Sequence, residues 1–114
     1  MDTKIRKVEI MDQRIQKIEK ELAELKAVLS KDYDLDEAWL FGSQAKGEQK
    51  EWSDIDVALV SNSFAGDVWD KRIKLTLQIN KINDNFELHL FSPEEFANPY
   101  DPLVAEIKKY GVRI

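Results

Sequence analysis

Residues 40–47, LFGSQAKG, and residues 53–60, SDIDVALV, contain the pattern that decides the fold of this chain. The apolar residues before Gly42-Ser43 predict a buried strand that ends in a turn at this pair. The second stretch predicts another strand, in which side chains at positions i and i+2 lie on the same face. Asp54 and Asp56 would therefore share one face, and the apolar residues that alternate with them would enter the core.

The residue types at the turn and on the strand point to phosphate and metal chemistry. Where a strand passes into a helix, backbone N–H groups and a serine hydroxyl can bind anionic oxygens, and glycine lets a phosphate approach the chain closely. Two carboxylates on one strand face can bind a divalent cation, and aspartate is uncommon in strands without such a reason. Each feature alone also fits a simple turn or a solvated charge, but together they predict phosphoryl or nucleotidyl transfer.

The composition limits the class of protein. The 114 residues suffice for one compact domain with an appendage, and 43% hydrophobic with 34% charged residues is typical of soluble globular proteins. No apolar run approaches the roughly 20 residues that span a bilayer, and the N-terminus lacks a secretory apolar region, so we expect no membrane partner and a cytoplasmic location.

Charge and residue usage narrow the chemistry further. The net charge of −5 argues against stable nucleic-acid binding, because proteins that hold polynucleotide backbones usually have a basic face. The chain contains no cysteine, which excludes disulfides, thiolate metal sites and thiol nucleophiles. Carboxylates and His89 remain as metal ligands.

The N-terminal part of the chain predicts one long helix, because residues 4–29 contain neither Gly nor Pro. Apolar residues recur there at heptad positions a and d, and the g and e positions carry opposite charges, which favours a homodimer through this helix. The alternative is an amphipathic helix on its own domain, which Ile5 and Ile10 favour because they lie off the stripe. We therefore divide the chain into a helix at 1–30 and a domain at 31–114. The stripe comprises Val8, Met11, Ile15, Ile18, Leu22, Leu25 and Leu29.

The domain sequence predicts both strands and helices. A polar connector at residues 30–36 precedes the first strand. Residues 67–83 fit a strand or a helix, and their length favours a helix with Asp67 as its N-cap. Capping patterns at Ser92 and Asp101 predict the starts of two more helices. The three strands are predicted at residues 38–41, 54–61 and 86–91.

The two opening stretches resemble the signature of the DNA polymerase beta superfamily of nucleotidyltransferases, in the compact form called the minimal nucleotidyltransferase or MNT domain. The family pattern is Gly-Ser, ten residues and Asp-x-Asp, which this chain fits without a gap. Lys46-Gly47 stands where the family usually has Arg-Gly, and Ser53 completes the family's Ser-Asp-x-Asp. The resemblance covers residues 39–91. It implies an α+β fold of two layers, a small mixed sheet with helices packed on one face, after the long N-terminal helix.

The resemblance also implies a set of site residues. Asp54 and Asp56 would bind two Mg²⁺ ions that bridge the triphosphate of ATP. The family has a third carboxylate on the neighbouring strand, and Glu87 is the candidate here, with a longer side chain than the family's usual Asp. These three residues form the predicted catalytic and metal-binding set, and we leave His89 out of it. The predicted nucleotide-binding residues are Gly42, Ser43, Lys46 and Ser53.

The reaction implied by the resemblance is transfer of a nucleoside monophosphate, AMP from ATP, to a hydroxyl group. MNT proteins often act beside an all-helical HEPN-type protein, in some cases as the antitoxin that modifies a HEPN toxin, so we expect a protein acceptor and a HEPN-type partner. One alternative is a non-catalytic subunit that binds a nucleotide or a partner. Transfer to a small molecule is another, although such enzymes usually carry an additional helical domain.

Overall fold

The computed structural model describes residues 19–42 and 54–114 of the chain. The described part contains helix α1 at residues 19–32, and no helix in it is long and apolar enough to cross a membrane. The elements that follow are β1 (Leu35–Phe41), β2 (Ile55–Ser61), a 3-10 turn (Asn62–Phe64), α2 (Trp69–Asn80), β3 (Phe86–Phe91), α3 (Pro93–Phe96), α4 (Pro102–Tyr110) and β4 (Val112–Arg113).

The four strands form one mixed sheet with the order β3-β2-β1-β4. β1 pairs antiparallel with β2 and with β4, whereas β2 and β3 are parallel. Parallel neighbours need a long crossover connection, which α2 provides. The register places Asp56 opposite Phe41 of β1 and opposite Glu87 of β3. Three strands therefore contribute residues to one small region of the sheet.

The sheet has an apolar core on each face. On one face, α1 and α2 pack against residues of β2 that include Val57 and Leu59. On the other face, α3 and α4 pack against Ala58 and Val60. The α+β class with a small mixed sheet is confirmed. The expectation that helices pack on one face of the sheet is wrong, because they cover both faces. The reason is that successive residues of the central strand β2 are apolar, so both of its faces need a cover.

Helix α1 packs on its own domain. Leu22, Leu25 and Leu29 are buried in the core that α1 shares with α2 and the sheet. These heptad residues therefore follow the alternative of an amphipathic helix on its own domain. The upstream residues of the stripe, at positions 8–18, lie outside the described residues. The helix continues through residue 32, beyond the predicted start of the connector, because residues 30–32 contain no helix breaker.

The ends of the other helices test the capping predictions. The capping box at Ser92 is confirmed, since its hydroxyl accepts from the N–H of Glu95 and the Glu95 side chain accepts from the N–H of Ser92. Asp101 caps α4 as predicted. The prediction of Asp67 as the N-cap of α2 is wrong: Val68 occupies that position. The Asp67 carboxylate accepts from the N–H of Trp69, so it forms a local turn just before the helix.

Replacing Leu25 by alanine tests whether α1 belongs to the core of the domain. Leu25 is fully buried, so we expect the free energy of unfolding to fall by about 2–5 kcal/mol. Lys26→Ala, at the exposed neighbouring position, is the control and should change it by less than about 0.5 kcal/mol. Urea titration followed by circular dichroism measures both variants. Equal stability of the two would contradict the packing of α1 in the core.

Candidate active site

Polar residues gather at the amino ends of β2 and β3. Asp56 and Glu87 are direct partners across these parallel strands, and Ala58 is the partner of His89. All these residues lie on the sheet face that also carries α3 and α4. The helices cover that face at the carboxyl ends of the strands, where Val60 is buried. The side chains of Asp56, Glu87 and His89 keep 22%, 49% and 23% of their surface exposed, so solvent reaches them.

The Asp56, Glu87 and His89 side chains form a group that could hold a metal ion. The Nε2 atom of His89 lies 3.4 Å from Oδ1 of Asp56 and 4.0 Å from Oε1 of Glu87. One ligand atom from each of the three residues lies within 4.8 Å of the others. Carboxylate oxygens and imidazole nitrogens are ordinary ligands of divalent cations. The donor set therefore fits a divalent metal.

His89 is held in place by an aromatic neighbour. Its ring meets that of Phe41 edge to face, with 5.0 Å between the ring centroids. His89 is not in the catalytic set predicted from the sequence, although period-two alternation places it on the face of Glu87. The missing information was the register between β2 and β3, which brings the imidazole to Asp56, 33 residues away in the chain.

Gly42 stands against the carboxylate of Asp56. It directly follows β1 and has a φ of +72°, in the left-handed region that favours glycine. A Cβ atom built at this position would overlap Oδ2 of Asp56 and would lie 3.2 Å from its Cγ. The turn and the strand can therefore approach this closely only because residue 42 lacks a side chain. The glycine of the Gly-Ser pair thus lies beside the candidate metal-binding group.

The other predicted site residues do not join this group within the described part of the chain. Asp54 is exposed and precedes β2, which begins at Ile55, so strand pairing does not align its side chain with that of Asp56. It is not among the residues of the metal-binding group. Ser43, Lys46 and Ser53 lie outside the described residues, in the connection from β1 to β2.

The fold and the site together define a class of protein. A mixed sheet that brings paired carboxylates beside a glycine turn is typical of enzymes that transfer phosphoryl or nucleotidyl groups with divalent metals. Residues 23–114 match the family model described as "Polymerase beta, Nucleotidyltransferase". The chain belongs to this nucleotidyltransferase family, as the MNT-type resemblance indicated.

Solved structures support the same fold. A protein from Sulfolobus solfataricus assigned to the nucleotidyltransferases aligns with a TM-score of 0.57 and 20% identity, over 93% of this chain and 83% of that chain. A chain of a toxin–antitoxin structure with AMP-PNP aligns with a TM-score of 0.60 and 22% identity, over 83% of this chain and 70% of that chain. No curated protein sequence gives a significant match.

Two glycines offer a matched test of the close approach at the site. Gly42 and Gly66 both have positive φ, of +72° and +77°, but a Cβ atom at Gly66 would meet nothing within 4 Å. Alanine at either position should lower stability by about 1–2 kcal/mol because of the backbone conformation. Gly42→Ala should lose at least about 1 kcal/mol more, since its methyl group overlaps Asp56.

Urea unfolding of both variants measures this difference. Gly66→Ala is the control for the backbone term alone. Equal losses in the two variants would contradict the close contact between residue 42 and the Asp56 carboxylate.

Proposed function

We propose that this protein transfers AMP from ATP to a hydroxyl group of a protein acceptor, as the MNT antitoxin of a HEPN/MNT pair. The observation that carries the proposal is the pairing of Asp56 with Glu87 beside Gly42 in a chain of the polymerase beta nucleotidyltransferase family. A net charge of −5 favours a protein acceptor over a polynucleotide. The toxin–antitoxin neighbour with AMP-PNP supports an adenine nucleotide and a role beside a toxin.

Carboxylates have the central role in this proposal. Asp56 and Glu87, together with Asp54, would hold two Mg²⁺ ions, since carboxylate oxygens are the ligands that Mg²⁺ prefers. Such ions, when bound, supply positive charge to the triphosphate and to the departing pyrophosphate. Asp56 lies on β2, between β3, which carries Glu87, and β1, which Gly42 follows, so its carboxylate is close to both parts of the proposed site.

The turn after β1 has the nucleotide-binding role. Gly42 carries no side chain, and a residue without a side chain lets a phosphate approach the backbone closely. We assign Ser43, Lys46 and Ser53 to the β- and γ-phosphates on the family pattern. The assignment is supported at the start of the connection between β1 and β2, since Gly42 lies beside the Asp56 carboxylate.

Helix α2 presents a surface suited to the partner. Trp69, Ile73 and Leu77 recur at every fourth position and are 67%, 44% and 63% exposed. Together with Arg72 and Thr76 they line a shallow groove of about 200 Å³. Large apolar side chains in such a row are typical of surfaces that receive a partner helix. A HEPN-type partner, which is all-helical, would provide such a helix.

The charges around this row favour a partner different from the chain itself. Helix α2 carries Lys71, Arg72 and Lys74 against a single acidic residue, Asp70, although the whole chain has a net charge of −5. A second copy packed on the same face would bring the Arg72 side chains, which line the groove, close together. A partner helix with acidic residues beside its apolar face would offset them. We therefore assign the α2 face to an acidic, helical partner.

Three further alternatives remain predictions. A homodimer through the N-terminal helix would have to use its upstream heptad positions, because Leu22, Leu25 and Leu29 are buried in the domain. A non-catalytic subunit would bind nucleotide or partner without transfer. A small-molecule acceptor would replace the protein acceptor.

Substitution of the paired carboxylates tests the reaction. We expect Asp56→Asn and Glu87→Gln to lower transfer of radiolabelled AMP from ATP by about 100-fold or more, because each removes a charged metal ligand. The acceptor in the assay is the protein encoded by the neighbouring gene, which the proposal expects to be of the HEPN type, with Mg²⁺ present. Glu94→Gln, which removes an exposed carboxylate on α3 beyond the carboxyl end of β3, is the control and should keep full activity.

The outcomes separate the alternatives. Absence of label on any hydroxyl of the neighbour with the wild-type protein would refute transfer to that acceptor. If Asp56→Asn neutralises the toxin as well as the wild type does, the protein acts as a binding subunit. Label on a small molecule alone would favour the third alternative.

A charge introduced on the α2 face tests the partner surface. Leu77→Glu should weaken the complex with the HEPN-type neighbour by about 10-fold or more, because it places a carboxylate in an apolar contact. Gln78→Glu adds the same charge at the next exposed position and should leave affinity nearly unchanged. Isothermal titration calorimetry measures both. Equal affinities of the two variants would assign the partner to another surface.

A further inference from the structure

The register of β2 and β3 places the imidazole of His89 next to the carboxylates of Asp56 and Glu87. The Nε2 atom is the ring atom that approaches both Asp56 and Glu87, at 3.4 Å and 4.0 Å from their oxygens. Packing against Phe41 holds the ring on this side of the sheet. The ring therefore presents one nitrogen to the same space as two carboxylates.

We infer that His89 is a metal ligand, together with Asp56 and Glu87, and that this position binds Mn²⁺ more tightly than Mg²⁺. The inference rests on the proposed metal-dependent function, and it adds a ligand of a different chemical type to the carboxylates of that site.

The separation between His89 and Asp56 is long for a hydrogen bond and fits two ligands of one ion. A good hydrogen bond to a carboxylate spans about 2.7–3.2 Å, whereas Nε2 and Oδ1 are 3.4 Å apart. Ligand atoms bound to one metal at about 2.1 Å lie roughly 3.0–3.4 Å from each other. Glu87 is half exposed at 49%, so its side chain can rotate to reduce the 4.0 Å separation from Nε2.

The mixed ligand set determines the preference for the metal. Mg²⁺ prefers oxygen ligands and an octahedral shell that keeps several waters. Imidazole nitrogen favours first-row transition ions, whose affinity for such sites exceeds that of Mg²⁺. Mn²⁺ accepts both carboxylate and imidazole ligands. A site of two carboxylates and one imidazole should therefore favour Mn²⁺, whereas a site of carboxylates alone would suit Mg²⁺.

The chain permits a direct test, because His89 is its only histidine. The protein is labelled with ¹⁵N-histidine, loaded with Mn²⁺ alone, and measured by electron spin echo envelope modulation. We expect a nitrogen coupling that changes between ¹⁴N and ¹⁵N protein, since ligation transfers spin density to Nε2 and mere proximity does not. Absence of this coupling in Mn²⁺-loaded protein, or absence of Mn²⁺ binding, would overturn the inference.

Calorimetry of the folded protein gives the second measurement. We expect Mn²⁺ to bind at least about 10-fold more tightly than Mg²⁺, and His89→Gln to reduce the Mn²⁺ affinity by about 10-fold or more while it changes the Mg²⁺ affinity far less. Asp70→Asn is the control for loss of a distant carboxylate. An equal effect of His89→Gln on both ions would contradict ligation.

These readouts separate the inference from the proposed function. Nitrogen coupling without nucleotidyl transfer would leave the metal site intact and refute the proposed reaction. Transfer without nitrogen coupling would support the reaction and refute His89 as a ligand.

Discussion

The parallel pairing of β2 with β3 is the constraint on which the rest of the structure depends. Parallel neighbours require a crossover, so the chain must leave the sheet after β2 and return through α2, which buries Leu75 and Ile79 against one face. The same pairing aligns the amino ends of both strands. As a result, Asp56 and Glu87 become direct partners although 31 positions separate them in the sequence.

The central position of β2 in the sheet determines where this strand can carry a polar residue. Its apolar residues enter cores on both faces, and α3 and α4 cover the carboxyl end of the second face. Only the amino end of that face is left open to solvent, where Asp56 lies. Because β1 is antiparallel to β2, its last residue, Phe41, and the following Gly42 arrive at the same place. The Asp56 carboxylate, the Phe41 ring and the backbone of Gly42 thus lie together, next to the part of the sheet face that α3 and α4 cover.

This arrangement connects the fold to the proposed chemistry. The family match over residues 23–114 establishes a nucleotidyltransferase domain, and the structure shows which residues surround Asp56 in it. The candidate metal-binding group contains an imidazole as well as carboxylates, and the metal preference that we infer rests on the type of these donor atoms rather than on their number. The exposed apolar row of α2 lies in the crossover itself, so the element that makes the parallel pairing possible also carries the surface assigned to the partner.

The sequence alone determined those strands and helix ends that depend only on residues close together in the chain. Period-two alternation located the strand Phe86–Phe91, and the Ser-x-x-Glu pattern located the capping box at Ser92. The prediction of an N-cap at Asp67 is wrong because an aspartate carboxylate can also form a turn just before the N-cap of a helix. The Gly-Ser and Asp-x-Asp pattern identified the family. Only the tertiary structure decided that His89 lies beside Asp56 and Glu87. It also decided that the leucines of α1 pack on their own domain. The physical reason is that strand register and helix docking depend on contacts between distant residues, which no local pattern encodes.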